Sequence, residues 1–187
     1  YNYRHAVELF TTAEEILYNE VQAGHYIVNK LGIVNYTTAN GDQSHVAAID
    51  QIGNAPTSIT AREITITAEG ANNDAINVAD GSLTLNASES ITVDGDIVSR
   101  EFEPGYPAAT DAGTITLESG DLRVTNGTVD GYVGTFEQTG GRTILNKDTG
   151  FFGGDVNLRR GQILMGDVDL SEVPLTGDEA VLALGSK

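Results

Sequence analysis

The chain has no cysteine and no tryptophan, only four prolines, and 10 basic residues against 27 acidic ones. Without cysteine there can be no disulfide, no thiolate metal ligand and no cysteine nucleophile. The shortage of basic charge leaves a net charge of −17 and a pI near 4.2. Such a surface repels the phosphates of nucleic acids and of anionic lipids, so neither is an expected partner. Acidity of this kind favours solubility in a salty exterior and also suits divalent cations. No apolar run approaches the ~20 residues of a membrane-spanning helix, so membrane insertion is not expected. Tyr1 is neither an initiator Met nor the start of a signal peptide, which suggests a processed chain or one cut from something longer.

What is present is a rhythm. The stretch from Ser58 to Val98 holds four apolar pairs: Ile64 with Ile66, Ile76 with Val78, Leu83 with Leu85, and Ile91 with Val93. A spacing of two puts both members of a pair on one side of a strand, so all eight are expected to point inward. Polar corners of Asn, Asp, Gly and Ser separate the pairs, with seven residues from Ile76 to Leu83 and eight from Leu83 to Ile91. The beat continues through Ile115 with Leu117, Leu122 with Val124, Val129, Phe136, Ile144, Val156 with Leu158, Ile163, and Val168 with Leu170. Residues 100–112 hold two of the four prolines and no alternation, so they read as a loop thrown out from the body. A shorter loop is expected at 146–154, carrying Phe151 and Phe152. No linker-like composition separates two domains.

The first 24 residues differ. Ala6, Leu9 or Phe10, Ala13, Ile16 or Leu17, and Val21 recur at helical spacing. Thr12 with Glu15 fits a capping box, and Gly24 a C-cap. The spacing predicts an amphipathic helix that covers either its own domain or an open sheet edge. Residues 25–37 read as a strand or two, broken at Asn29-Lys30 and Gly32, and Val46 to Ile52 as helix or strand. This divides the chain into an N-terminal capping region, 1–56, and a β body, 57–187.

Two all-β architectures fit the body. One is a right-handed parallel β-helix (a β-solenoid) with the N-terminal helix as its cap. The other is an antiparallel β-sandwich. Asn40-Gly41, Asp80-Gly81, Asp94-Gly95, Asn126-Gly127 and Asp130-Gly131 are dipeptides that hairpins prefer, but solenoid corners also need positive φ. Strands of four or five residues, an even beat and the lack of tryptophan favour the solenoid. At three strands and ~22 residues per turn, residues 57–184 would make ~6 turns and a rod roughly 30 Å long.

The segment ITITAEGANNDAINVADGSLTLNASESITVDGDI resembles the passenger region of bacterial type V secreted proteins, the autotransporters and two-partner exoproteins. The likeness covers roughly residues 57–184 and is one of composition and rhythm. It implies a right-handed parallel β-helix displayed outside the cell. The chain lacks the cleavage motif and amphipathic β-barrel of that family, and a helical N-terminus is atypical of it.

Signals for chemistry are sparse. His5, His25 and His45 each stand alone, without metal-ligand spacing. There is no GxSxG and no phosphate loop. Asp94 with Asp96, and Asp167 with Asp169, have the i, i+2 spacing that puts two carboxylates on one strand face. Such pairs could bind calcium or hydrolyse a glycosidic bond, or simply face solvent at corners. An EF-hand loop from Asp94 would need Gly where Ser99 stands, and Gly153-Gly154-Asp155 is only a fragment of a calcium-binding nonapeptide. Arg159-Arg160 is the one adjacent basic pair, too little to hold a polyanionic sugar. Phe102, Tyr106, Phe151 and Phe152 could stack on a neutral glycan of a host or bacterial surface, or pack back onto the body. Sequons at Asn35, Asn86 and Asn126 arise readily in a chain this rich in Asn and Thr.

The expected product is a secreted or cell-surface structural or adhesive scaffold without catalysis or obligatory cofactor, calcium being the one ion considered. The alternatives are a subunit of an extracellular filament and a glycan-active β-helix enzyme. For assembly, the uncharged segment carrying Val181, Leu182 and Leu184 offers an open edge. It would be continued by a longer chain or by an identical subunit, whose Tyr1 and Tyr3 lie in a candidate added strand.

Overall fold

The computed structural model describes residues 7–10, 15–19, 25–37, 47–51, 56–68, 73–99, 113–168 and 180–185, the first three strands by their backbone. Among these residues the chain is all-β, with no helix. The strands are β1 (Val7–Phe10), β2 (Glu15–Asn19), β3 (His25–Thr37), β4 (Ile49–Gln51), β5 (Thr57–Thr67), β6 (Asp74–Val78) and β7 (Ser82–Asp94). There follow β8 (Asp96–Val98), β9 (Thr114–Thr125), β10 (Thr135–Gln138), β11 (Arg142–Leu145), β12 (Asp155–Leu158), β13 (Gly161–Met165) and β14 (Ala180–Leu184).

Every described pairing is parallel. The large sheet runs β1-β3-β5-β7-β9-β11-β13-β14, with β2 on β3 and β10 and β12 branching from β9, while β4-β6-β8 form a second sheet. The long strands are each two straight segments joined at a corner. Their register shifts fall between Asn29 and Ile33, between Ala61 and Glu63, and between Leu85 and Ser90. β10 and β11 occupy the two segments separately, as do β12 and β13. The chain therefore visits the same places again and again. Ile64 aligns with Ile91, Ile91 with Leu122, Leu122 with Thr143, Thr143 with Ile163, and Ile163 with Leu182. This row has six levels between residues 57 and 184, and β2 and β3 extend it with Ile16 and Val34.

The core forms where these rows face inward. Strand β7 alternates buried and part-exposed positions on either side of its corner. Ile64, Ile66, Ile76, Val78, Leu83, Leu85, Ile91 and Val93 are all buried, as their period-two spacing predicts. From β9 onward the repeat is short: Ile115 aligns with Phe136, and Phe136 with Val156. Earlier repeats are longer because segments such as 100–112 intervene.

Four expectations are corrected. The N-terminal helix is replaced by β1 and β2, which pair with β3. Glu15, assigned to a capping box, begins β2. Leu9, Phe10, Ile16 and Leu17 suit a helical period, but they also suit short strands; a helix this short is marginal by itself, while the edge of β3 gives the strands their backbone partners. The sandwich alternative fails because no described pair is antiparallel. Asp80-Gly81 and Asp94-Gly95 turn the chain from one sheet to the other rather than closing hairpins. At β11 the inward residues are Thr143 and Leu145, with Ile144 facing outward. Register decides this, because Thr143 falls opposite Leu122 and its hydroxyl donates 2.7 Å to Gln138 Oε1. Val156, expected as a core beat, is 44% exposed, since β12 has β10 as its sole described strand neighbour.

Candidate functional site

Carboxylates drew attention to the corner between β7 and β8. Asp94 ends β7, Asp96 begins β8, and Gly95 between them has φ +135°. That backbone bends the chain into the other sheet, so the two carboxylates do not share a strand face as their spacing suggested. Their oxygens are engaged by neighbouring turns. Asn126 Nδ2 donates to Asp94 Oδ1 at 2.8 Å. The Thr128 amide donates to Asp96 Oδ1 at 2.9 Å, and Asn73 Nδ2 reaches the same oxygen at 3.4 Å. Asn73 Nδ2 also donates to the Asn126 carbonyl at 2.7 Å. Asn73 and Asn126 adopt φ of 57° and 52°, a left-handed conformation that Asn tolerates better than most residues. The backbones here are close enough that a Cβ added at Gly127 would lie 2.1 Å from the Gly95 carbonyl. The corner thus works as a clamp between turns, with carboxylates accepting from amides above and below.

No group of three or more His, Asp or Glu side chains that could hold a metal ion gathers among the described residues. Asp167 is exposed, at an isolated bridge after β13. Asp169 lies outside the described residues, as do His5 and His45, while His25 begins β3.

Among the described residues the basic side chains are mostly paired with carboxylates, and two of them, Arg123 and Arg142, converge on Asp121. Arg62 pairs with Glu63 and, at 2.8 Å, with Glu89. Arg159 pairs with Glu137 at 2.6 Å, which separates its role from that of exposed Arg160. Arg142 Nε lies 3.5 Å from Asp121.

The aromatic candidates divide. Phe152 turns inward, stacked on Phe136 at a 4.2 Å centroid separation and edge-on to Tyr132 at 5.8 Å. Phe151 is half exposed, and its amide donates 2.9 Å to Asp130 Oδ1. Val133, beside Gly153, is exposed too. Phe102 and Tyr106 lie outside the described residues. Tyr132 is fully buried, its hydroxyl 2.6 Å from the Gly113 carbonyl and 2.7 Å from that of Thr135. Burial raises the phenol's pKa well above the usual tyrosine value, and the backbones of Ile115 and Thr135 offset this only in part.

Two polar groups in the interior escaped sequence reasoning. Gln138, Thr143 and Gln162 form one of them. Gln138 Nε2 donates to the carbonyls of Gly141 at 3.1 Å and Gln162 at 3.0 Å. In the other, the Thr57 hydroxyl donates 2.5 Å to Gln51 Oε1. The signal for the first was available: Gln138 stands two residues after Phe136, so it shares the inward face.

At the C-terminal side, β14 pairs with β13 in the register Ile163 to Leu182 and Met165 to Leu184. Leu182 and Leu184 are 58% and 71% exposed, and Val181 is half-buried. Tyr1 and Tyr3 lie outside the described residues. No protein-family model, curated protein or solved structure matches the chain. No described helix is long and apolar enough to cross a membrane.

Proposed function

We propose that the chain winds as a right-handed parallel β-helix and serves as a rod-like, non-catalytic scaffold displayed outside the cell. The observation that carries this reading is the inward row Ile64, Ile91, Leu122, Thr143, Ile163 and Leu182, which repeats one strand position over six levels. Parallel strands joined by crossovers take the right-handed course in nearly all folds. A stack of this kind supplies length and a regular outer surface. The Asp94, Asp96, Asn73 and Asn126 side chains hold turns to one another, a structural use of these polar groups. The likeness to type V passenger regions supports the extracellular placement. On this reading a surface glycan would meet the outer loops, with exposed Phe151 as the described aromatic best placed to stack on it.

Nuclear magnetic resonance of the isotopically labelled chain is the test. A β-helix gives amide contacts from Thr65 to Thr92 and from Thr92 to Arg123, level by level in parallel register. Antiparallel contacts, or none between these levels, overturn the reading. Release of reducing ends from any polysaccharide, lost in Asp94→Asn, would replace the scaffold with an enzyme.

A further inference from the structure

The two ends of the strand column are complementary. In the column that follows the second segment of β3, β2 is the first described strand and β14 the last, and each has one described strand neighbour, β3 and β13 respectively. A parallel strand presents different hydrogen-bonding edges to its two sides. In one column, the outer edge of β14 is in phase with the outer edge of β2. The register can be followed through every level. Leu17 aligns with Asn35, then Thr65, Thr92, Arg123, Ile144, Leu164 and finally Ala183. Both end strands are five residues long.

Charge selects this edge. Copies of a chain with a net charge of −17 repel one another over most of their surface. β13 and β14 carry no charged residue, and β2 carries only Glu15, which the register sets over uncharged Val181. The apolar rows match as well. Ile16 would continue the row ending at Leu182, and Tyr18 the row ending at Leu184. Those two leucines face solvent although Ile163, one level back in the row of Leu182, is buried.

Resting on the rod reading above, we infer that a second copy of this chain docks head to tail, its β2 pairing in parallel with β14 in the register Leu17 to Ala183. A contact between two different surfaces does not stop at a dimer, and repeated along the axis of the strand column it continues into an open filament rather than a ring.

The absence of cysteine makes the test direct. Leu17→Cys and Ala183→Cys proteins are prepared separately, mixed and oxidised. Directly aligned residues on neighbouring strands lie within disulfide range. The expected result is a heterodisulfide in large excess over either homodisulfide, increasing with concentration. Statistical pairing, or no cross-link, overturns the inference. In sedimentation, the unmodified chain should form concentration-dependent oligomers. Leu184→Lys, a change at an exposed side chain, should leave the circular dichroism spectrum unaltered and weaken association by about tenfold or more. Equal sedimentation of the two proteins also overturns it. The amide contacts of the Leu184→Lys monomer separate the two ideas: stacked parallel levels in a chain whose unmodified form never associates sink the docking alone, and lost stacking sinks the rod.

Discussion

Replacing Leu85 by alanine should cost about 3 kcal/mol of stability, while the same change at Leu182 should cost a few tenths. Leu85 is 1% exposed and sits in an inward row between Ile59 on β5 and Leu117 on β9. The neighbouring levels are fixed by strand pairing and cannot collapse into the space left behind. The loss therefore includes both the transfer free energy of the removed atoms and a cavity penalty, within the ~2–5 kcal/mol seen for buried leucines. Leu182 occupies an inward row too, but at 58% exposure it loses little when truncated. Urea unfolding followed by circular dichroism reads the difference. With a slope of about 2 kcal/mol per molar, Leu85→Ala should lower the midpoint by about 1–2 M and Leu182→Ala by less than about 0.3 M. The comparison is best made with both variants at low concentration, where association cannot add to the stability of the end strand. A loss below about 0.5 kcal/mol at Leu85, or equal losses at both sites, would refute the idea that these rows form a continuous core open at β14.

Other outcomes follow from the same structure. Tyr132→Phe should cost about 1–2 kcal/mol, read by thermal melting, because the buried carbonyls of Gly113 and Thr135 lose their shared donor. The folded-state pKa of Tyr132 is raised, so its stabilising contribution is complete below about pH 10 and is lost as pH climbs towards the folded value. In an absorbance titration, one of the seven tyrosines should therefore resist ionisation until the chain unfolds. Gly127→Val should block folding of the β7–β8 corner, read as lost amide protection there, because any Cβ meets the Gly95 carbonyl. Phe152→Ala should lower the melting temperature while Phe151→Ala leaves it unchanged, since only Phe152 packs against Phe136.

What could be read in the sequence was whatever depended on period two. Leu83 with Leu85 and Ile91 with Val93 announced their inward faces because strand alternation is local. The choice between parallel and antiparallel pairing was harder, since Asp80-Gly81 and Asp94-Gly95 supply positive φ to a hairpin or a solenoid corner alike. The N-terminal segment misled because Leu9, Ile16 and Leu17 satisfy two periods at once, and the edge of β3 decided between them. Ile144 misled for another reason: hydrophobicity pointed inward, but the register set by Leu122 put Thr143 there, and Gln138 supplied its hydrogen bond. Asp94 and Asp96 looked paired because spacing in sequence ignores the corner at Gly95. Their partners, Asn73 and Asn126, come from other turns and carry no local signal. The same is true of Phe152, whose partner Phe136 belongs to the preceding level.

The central claim is that successive turns stack in register, and spin-label distances test it most directly. With one label fixed at Thr65, the second is placed in turn at Thr92, Arg123 and Ile144, which follow it in the same outward row. Stacking at the parallel-strand spacing predicts backbone separations of about 4.8, 9.6 and 14.4 Å, an even progression despite unequal gaps in sequence. Distances that fail to rise level by level in that order, or that place Ile144 nearer to Thr65 than Arg123 is, would contradict the stacked-turn architecture.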